Sequence, residues 1–143
     1  SQHWSARGLS DRLQTLWASW SINFGNFTVW FSGDTGYNDI QFKQIGSALG
    51  KVDLALIPIG GYAPMWFMQK YHINPSEAVT IHTEVNATKS IGMHWGTFPM
   101  TAEEPGEPVN VLAQEKQAKE INNDSFITLS IGESIVIELD SVR

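Results

Sequence analysis

Apolar and polar positions change rhythm along the 143 residues, and the changes divide the chain into strands and helices. Residues 1–12 are polar, with Arg7, Asp11 and Arg12, and read as a loop. Across residues 16–24, Trp20, Ile22 and Phe24 alternate with Ser19, Ser21 and Asn23, the period of a half-buried strand. Gly25-Asn26 is a two-residue hairpin signal, so the run 27–32 should return antiparallel to it. Asn38 can cap a helix that buries Phe42, Ile45 and Leu49 and stops at Gly50. Residues 53–59 form a continuous apolar run, the mark of a strand covered on both faces, with Pro58 near its end. Segment 60–73 is a loop dense in large side chains (Tyr62, Met65, Trp66, Phe67, Met68, Tyr71), which either packs over the core or lines an apolar substrate groove.

Asn74-Pro75-Ser76-Glu77 combines an N-cap, a first-turn proline and an acid at the third position, so a helix should run to about Val85 and bury Ala78, Ile81 and Val85. Residues 90–95 read as a strand with Ile91, Met93 and Trp95 on one face and His94 on the other. An acidic, proline-bearing loop (Glu103, Glu104, Pro105, Glu107) leads to a helix over 108–121, and two short strands, 126–131 and 134–139, close the chain. The order ββαβαβαββ predicts a single α/β domain over residues 1–143, a mixed sheet with helices on one face. The other face then needs a partner.

Composition supports a folded domain, with 42% apolar and 17% charged residues. A formal charge of −6 with no Lys or Arg cluster argues against a nucleic-acid partner. Without cysteine there is neither a disulfide framework nor a thiolate site, so any metal is held by histidine and carboxylate. No apolar run approaches the roughly 18 residues of a transmembrane segment, and the polar start is no signal peptide, leaving the cytoplasm as the default compartment. The chain begins at Ser1 with a histidine of interest two residues later, a hint of a piece of something longer.

The candidate chemistry centres on Asp34, delivered by the run 28–33 into a turn hemmed by Gly33 and Gly36. His3 and His94 also stand at candidate strand tips, and two imidazoles with one carboxylate make a metal-ligand set in which Asp34 can bridge two cations. His72, just before a helix, is a candidate for polarising a substrate. His82 lies mid-helix and reads as structural, and Trp17, Trp20 and Trp30 read as core. No Gly-x-Ser-x-Gly elbow and no phosphate-cradling glycine loop is present.

The runs Gln2-His3-Trp4-Ser5-x-Arg7, Ser32-Gly33-Asp34-Thr35-Gly36-Tyr37, Ile57-Pro58-Ile59-Gly60, His72-Ile73-Asn74-Pro75-x-Glu77-Ala78 and His94-Trp95-Gly96-Thr97-Phe98 resemble, in order, the metallo-β-lactamase-fold hydrolases. The branch they resemble most is the N-acylphosphatidylethanolamine-hydrolysing phospholipase D type. The resemblance implies an αββα sandwich with a dinuclear metal site, usually zinc, of which this chain is the C-terminal half. It also implies that His3 ligates one metal, His94 the other, that Asp34 bridges both, and that His72 lies close to the reacting group. The family's His-x-His-x-Asp-His motif is not in the sequence, so each metal would keep an open shell and zinc should bind weakly or not at all to this chain alone.

The expected function is metal-dependent hydrolysis of phosphodiester or related ester bonds by Asp34 and His72, on substrates with a lipid-like or apolar portion. The other reading is a non-catalytic half-domain that binds a partner or itself. A homodimer, or a separate N-terminal half, is the expected cover for the bare sheet face.

Overall fold

The computed structural model describes residues 1–5 and 8–137. Its main sheet has five strands, β3 (Trp20–Asn23), β4 (Thr28–Phe31), β5 (Val52–Pro58), β6 (Ala87–Met93) and β7 (Phe126–Thr128), hydrogen-bonded in chain order. The hairpin β3–β4 is antiparallel, closed at Gly25-Asn26 by the Phe24 amide donating to the Phe27 carbonyl at 2.8 Å. All later neighbours are parallel, and the crossovers are α1 (Gln41–Leu49), the short α2 (Met65–Met68) with α3 (Pro75–Glu84), and α4 (Glu107–Ala118).

Local signals explain these helices. The Asn38 side-chain Oδ1 accepts from the Gln41 amide at 2.7 Å and the Ile40 amide at 3.2 Å, although the N-cap position is Ile40 rather than Asn38, and Gly50 ends α1 at φ 74°. Asn74 and Glu77 form a complete capping box at the start of α3. The helices bury one face of the sheet. Ser21, Trp30, Ala55, Ser90 and Phe126 are partners in one row across all five strands, and the last four are at most 2% exposed. Against them pack Phe42 of α1, Ala78, Val79 and Ile81 of α3, and Leu112 of α4. His82 belongs to this core as the sequence suggests, its Nδ1 2.7 Å from Ser90 Oγ and its ring beside Phe126.

The adjacent row, Trp20, Phe31, Leu56, Ile91 and Ile127, points the other way because side chains alternate along a strand. No described element covers it, and Trp20 is 65% exposed. Trp20 is therefore not a core residue. Only Trp30 of the three tryptophans is.

Other expectations are corrected at the ends of the chain. Within 1–12, Trp4–Ser5 is a strand (β1) that pairs antiparallel with Thr15–Leu16 (β2) in a separate two-stranded sheet, so the run 16–24 is broken before β3 begins. A polar composition hid β1 because its pairing joins backbone groups and ignores side-chain polarity. Residues 134–137 form no strand, and 138–139 lie outside the described residues. In β6, Ser90 and Gly92 face the core, whereas Trp95 lies beyond the strand and packs against the core edge rather than joining Ile91 and Met93. Among the described residues no helix is long and apolar enough to cross a membrane.

Candidate metal centre

Because β4, β5 and β6 run parallel, their C-terminal ends open on one side of the sheet, the place where such folds put their chemistry. Asp34 follows β4. Gly33 takes φ +63°, and a side chain at Gly36 would strike the Lys70 carbonyl, its would-be Cβ lying 2.6 Å from that oxygen. The two glycines thus do what the sequence suggests: one turns the chain, the other admits the segment that ends in His72.

His3 reaches the same place through backbone pairing. The Gly36 amide donates to the Gln2 carbonyl at 2.8 Å, the Gln2 amide donates to Thr35 Oγ1 at 2.7 Å, and the Trp17 amide donates to the His3 carbonyl at 3.1 Å. The His3 ring is 9% exposed, with the Trp17 ring 4.2 Å and the His72 ring 5.4 Å away, centre to centre. Trp17 is thus a wall of the site rather than core. His94 follows β6 in a left-handed conformation, φ 61°, and its Nε2 stands 3.5 Å from Asp34 Oδ1. Its Nδ1 lies 3.1 Å from the Gly60 carbonyl oxygen, which only accepts, so the proton sits on Nδ1 and donates to Gly60.

The structure brings all four sequence-identified residues together but groups them in its own way. Asp34, His72 and His94 each offer a ligand atom within 4.8 Å of the others. Asp34, His72 and His94 could thus hold a metal ion together, and the His3 ring packs against that of His72. The periodicity could not place His72 there, because the long connection from β5 to α3 carries it across.

The donor set fits a cation. Nδ1 of His3 and Nδ1 of His72 are buried without a hydrogen-bond partner, a costly arrangement for an imidazole unless something else takes the lone pair. Burial, before any neighbouring charge, moves both imidazoles below the usual histidine range, so both are neutral at pH 7, the form that ligates metals. For His72 the His94 ring pushes in the same direction, while Asp34 and Glu103 oppose it. Imidazole and carboxylate together suit zinc and its first-row neighbours.

Beside His94 opens a pocket of about 260 Å³, mostly apolar, walled by Trp95, Phe98, Met100, Pro105 and Pro108. The apolar groove thus comes from the loop after β6. Of segment 60–73 only Gly61 lines it, while Trp66 and Phe67 stand 79% and 60% exposed. Glu103, at the pocket's edge, is 9% exposed and accepts from the Gly61 amide and, at 3.0 Å, from the Ala63 amide. In sequence it was one acid among several in a loop. Nothing there marked it as buried.

A parallel-ended mixed sheet, helices on one face and a histidine–carboxylate centre at the strand tips define the metallo-β-lactamase class. A family model described as "Beta-lactamase superfamily domain" matches residues 1–95, and the chain belongs to that family. It is 49% identical over 135 residues to "N-acyl-phosphatidylethanolamine-hydrolyzing phospholipase D 1" of Caenorhabditis elegans, covering 93% of this chain and 38% of that protein. It is 40% identical over 119 residues to the mitochondrial protein of the same description from Saccharomyces cerevisiae, covering 80% and 25%. The chain thus spans well under half the length of these relatives. In fold it matches a metallo hydrolase of the archaeon Ignicoccus hospitalis, with a TM-score of 0.57 at 22% identity over 80% of this chain and 43% of the other.

Proposed function

We propose that this chain carries part of the active centre of a zinc-dependent hydrolase that cleaves phosphodiester or related ester bonds in the manner of a phospholipase D. The observation that carries the reading is the convergence of Asp34, His72 and His94 on one point, beside buried imidazole nitrogens with no protein partner. The names of the relatives support the reaction class, and a 30% identical relative named as a metal-dependent hydrolase, of which 41% is covered, supports the dependence on a metal.

Asp34, His72, His94 and His3 would hold the metal. When bound, zinc supplies Lewis acidity that makes water nucleophilic near neutral pH and offsets charge on phosphoryl oxygens. Asp34, an acceptor when ionised, takes a hydrogen bond from the attacking water and lines it up with the scissile bond. His94 keeps its proton on the side of Gly60, leaving Nε2 free on the side of Asp34. His72, half-buried and neutral, sits where it ligates or donates to a substrate oxygen. The apolar pocket beside His94 receives the hydrocarbon portion of the substrate and keeps water from it.

The test is hydrolysis of N-acylphosphatidylethanolamine by this chain mixed with a His-x-His-x-Asp-His-bearing segment of a relative, with zinc and then with chelator. Turnover that disappears with chelator and with Asp34→Asn is expected. Turnover by the chain alone that ignores chelator and survives Asp34→Asn would overturn the reading.

A further inference from the structure

The proton on His94 has two acceptors competing for it. Gly60 O stands 3.1 Å from Nδ1 and Asp34 Oδ1 3.5 Å from Nε2, and a neutral imidazole carries one proton between the two nitrogens. If the proton moved to Nε2, that nitrogen would donate to Asp34 and lose the lone pair a metal requires. What holds Gly60 in place thus decides whether His94 is a ligand.

Segment 60–63 lies against the site. A Cβ added to Gly61 would lie 2.9 Å from His94 Cε1 and 3.4 Å from His72 Nδ1, so the backbone runs directly against both rings. Glu103 holds the same segment. The carboxylate accepts from the amides of Gly61 and Ala63, one oxygen to each, and the Ala102 amide donates to the Ala63 carbonyl at 3.2 Å. Among the described residues no cation pairs with it. A buried carboxylate without a counter-charge is an expensive way to hold a loop unless both of its oxygens are needed.

We infer that Glu103 is a positioning residue: its carboxylate pins segment 61–63, so that the Gly60 carbonyl takes the His94 proton on Nδ1 and leaves Nε2 unprotonated towards Asp34. The inference deepens the metal-centre reading and rests on it for its functional consequence. Glu103→Gln keeps the shape of the side chain but replaces one acceptor oxygen by a donor that faces a donor, so one of the two clamps is lost.

The experiment is two-bond ¹H–¹⁵N correlation of the histidine rings near pH 8, where neutral rings dominate, on the wild-type chain and on Glu103→Gln. Tyr62→Phe serves as a control, because it removes a 2.7 Å bond to Glu107 from the same segment without touching the Glu103 carboxylate. The expected result is an Nδ1–H pattern for His94 in the wild type and in Tyr62→Phe, and a shift towards Nε2–H in Glu103→Gln. Zinc affinity should fall about ten- to a hundredfold in Glu103→Gln, the usual consequence of losing a group that orients a ligand. Should Glu103→Gln not fold, Thr101→Val, which removes a side-chain hydrogen bond to the carboxylate, should give a smaller shift in the same direction. An unchanged His94 pattern in the Glu103 and Thr101 variants, or an equal shift in Tyr62→Phe, overturns the inference. Failure of the chain mixed with a His-x-His-x-Asp-His-bearing segment to take up zinc, while the ring pattern shifts, counts against the hydrolase reading and leaves the clamp standing.

Discussion

Burial holds His82 below the usual histidine range, and at 5% exposure with its Nδ1 on Ser90 Oγ it has no way to shed a charge to water. An unfolded histidine takes up a proton near pH 6.5, whereas folded His82 does so only at lower pH. The unfolded chain binds more protons across that interval, so His82's contribution to stability is whole above about pH 6.5 and is lost as the pH falls towards the folded value. His3 and His72 are shifted in the same direction. Thermal unfolding followed from about pH 7.5 to about pH 5.5 should show a falling midpoint, and His82→Gln should make the fall shallower. An identical fall in the variant would mean that His82 is not held neutral. At this scale the sequence was most informative where glycine constrains the backbone, as at Gly33-Asp34-Thr35-Gly36. It was silent on Glu103, whose burial and amide partners come from a loop forty residues away in sequence.

The capping box at Asn74 sets where α3 starts, and His72 stands two residues before it. The Asn74 side chain accepts from the Glu77 amide at 2.9 Å and Glu77 accepts from the Asn74 amide at 3.0 Å. Asn74→Ala should therefore cost about 1 kcal/mol in urea unfolding and Asn74→Ser much less; a loss equal in both would argue against the cap. At the same scale, Phe126 of β7 is fully buried in the core with its ring beside His82 of α3, and Phe126→Ala should cost about 3–5 kcal/mol, against a negligible change for exposed Phe98→Ala. Periodicity found β4 to β7 and three helices because each has buried positions at its own spacing, and it found β3 by alternation alone, since all four residues of that strand are exposed. It missed β1 and β2, which have two residues each and no face to bury, and it extended the chain's end into strands where 134–137 has none.

Among the described residues, helices cover one sheet face and no element covers the other, with Trp20, Ile22 and Phe31 exposed by 65%, 50% and 37%. Contiguous apolar surface of this kind seldom stays in water, and a second copy is the cover proposed for it. Sedimentation equilibrium should give a mass above 15.9 kDa that falls towards it in Trp20→Lys; a wild-type mass of 15.9 kDa would contradict self-association. Which face lay open was not legible in the sequence, since alternation gives two faces and only the register decides between them. The centre at the strand tips is the larger claim. The most direct measurement is zinc titration of the ¹⁵N-labelled chain followed on its histidine rings, with His94→Ala and His82→Ala alongside. The account predicts weak but saturable perturbation of His3, His72 and His94, abolished in His94→Ala and unchanged in His82→Ala. Perturbation centred on His82, or no saturable perturbation of the three, would contradict it.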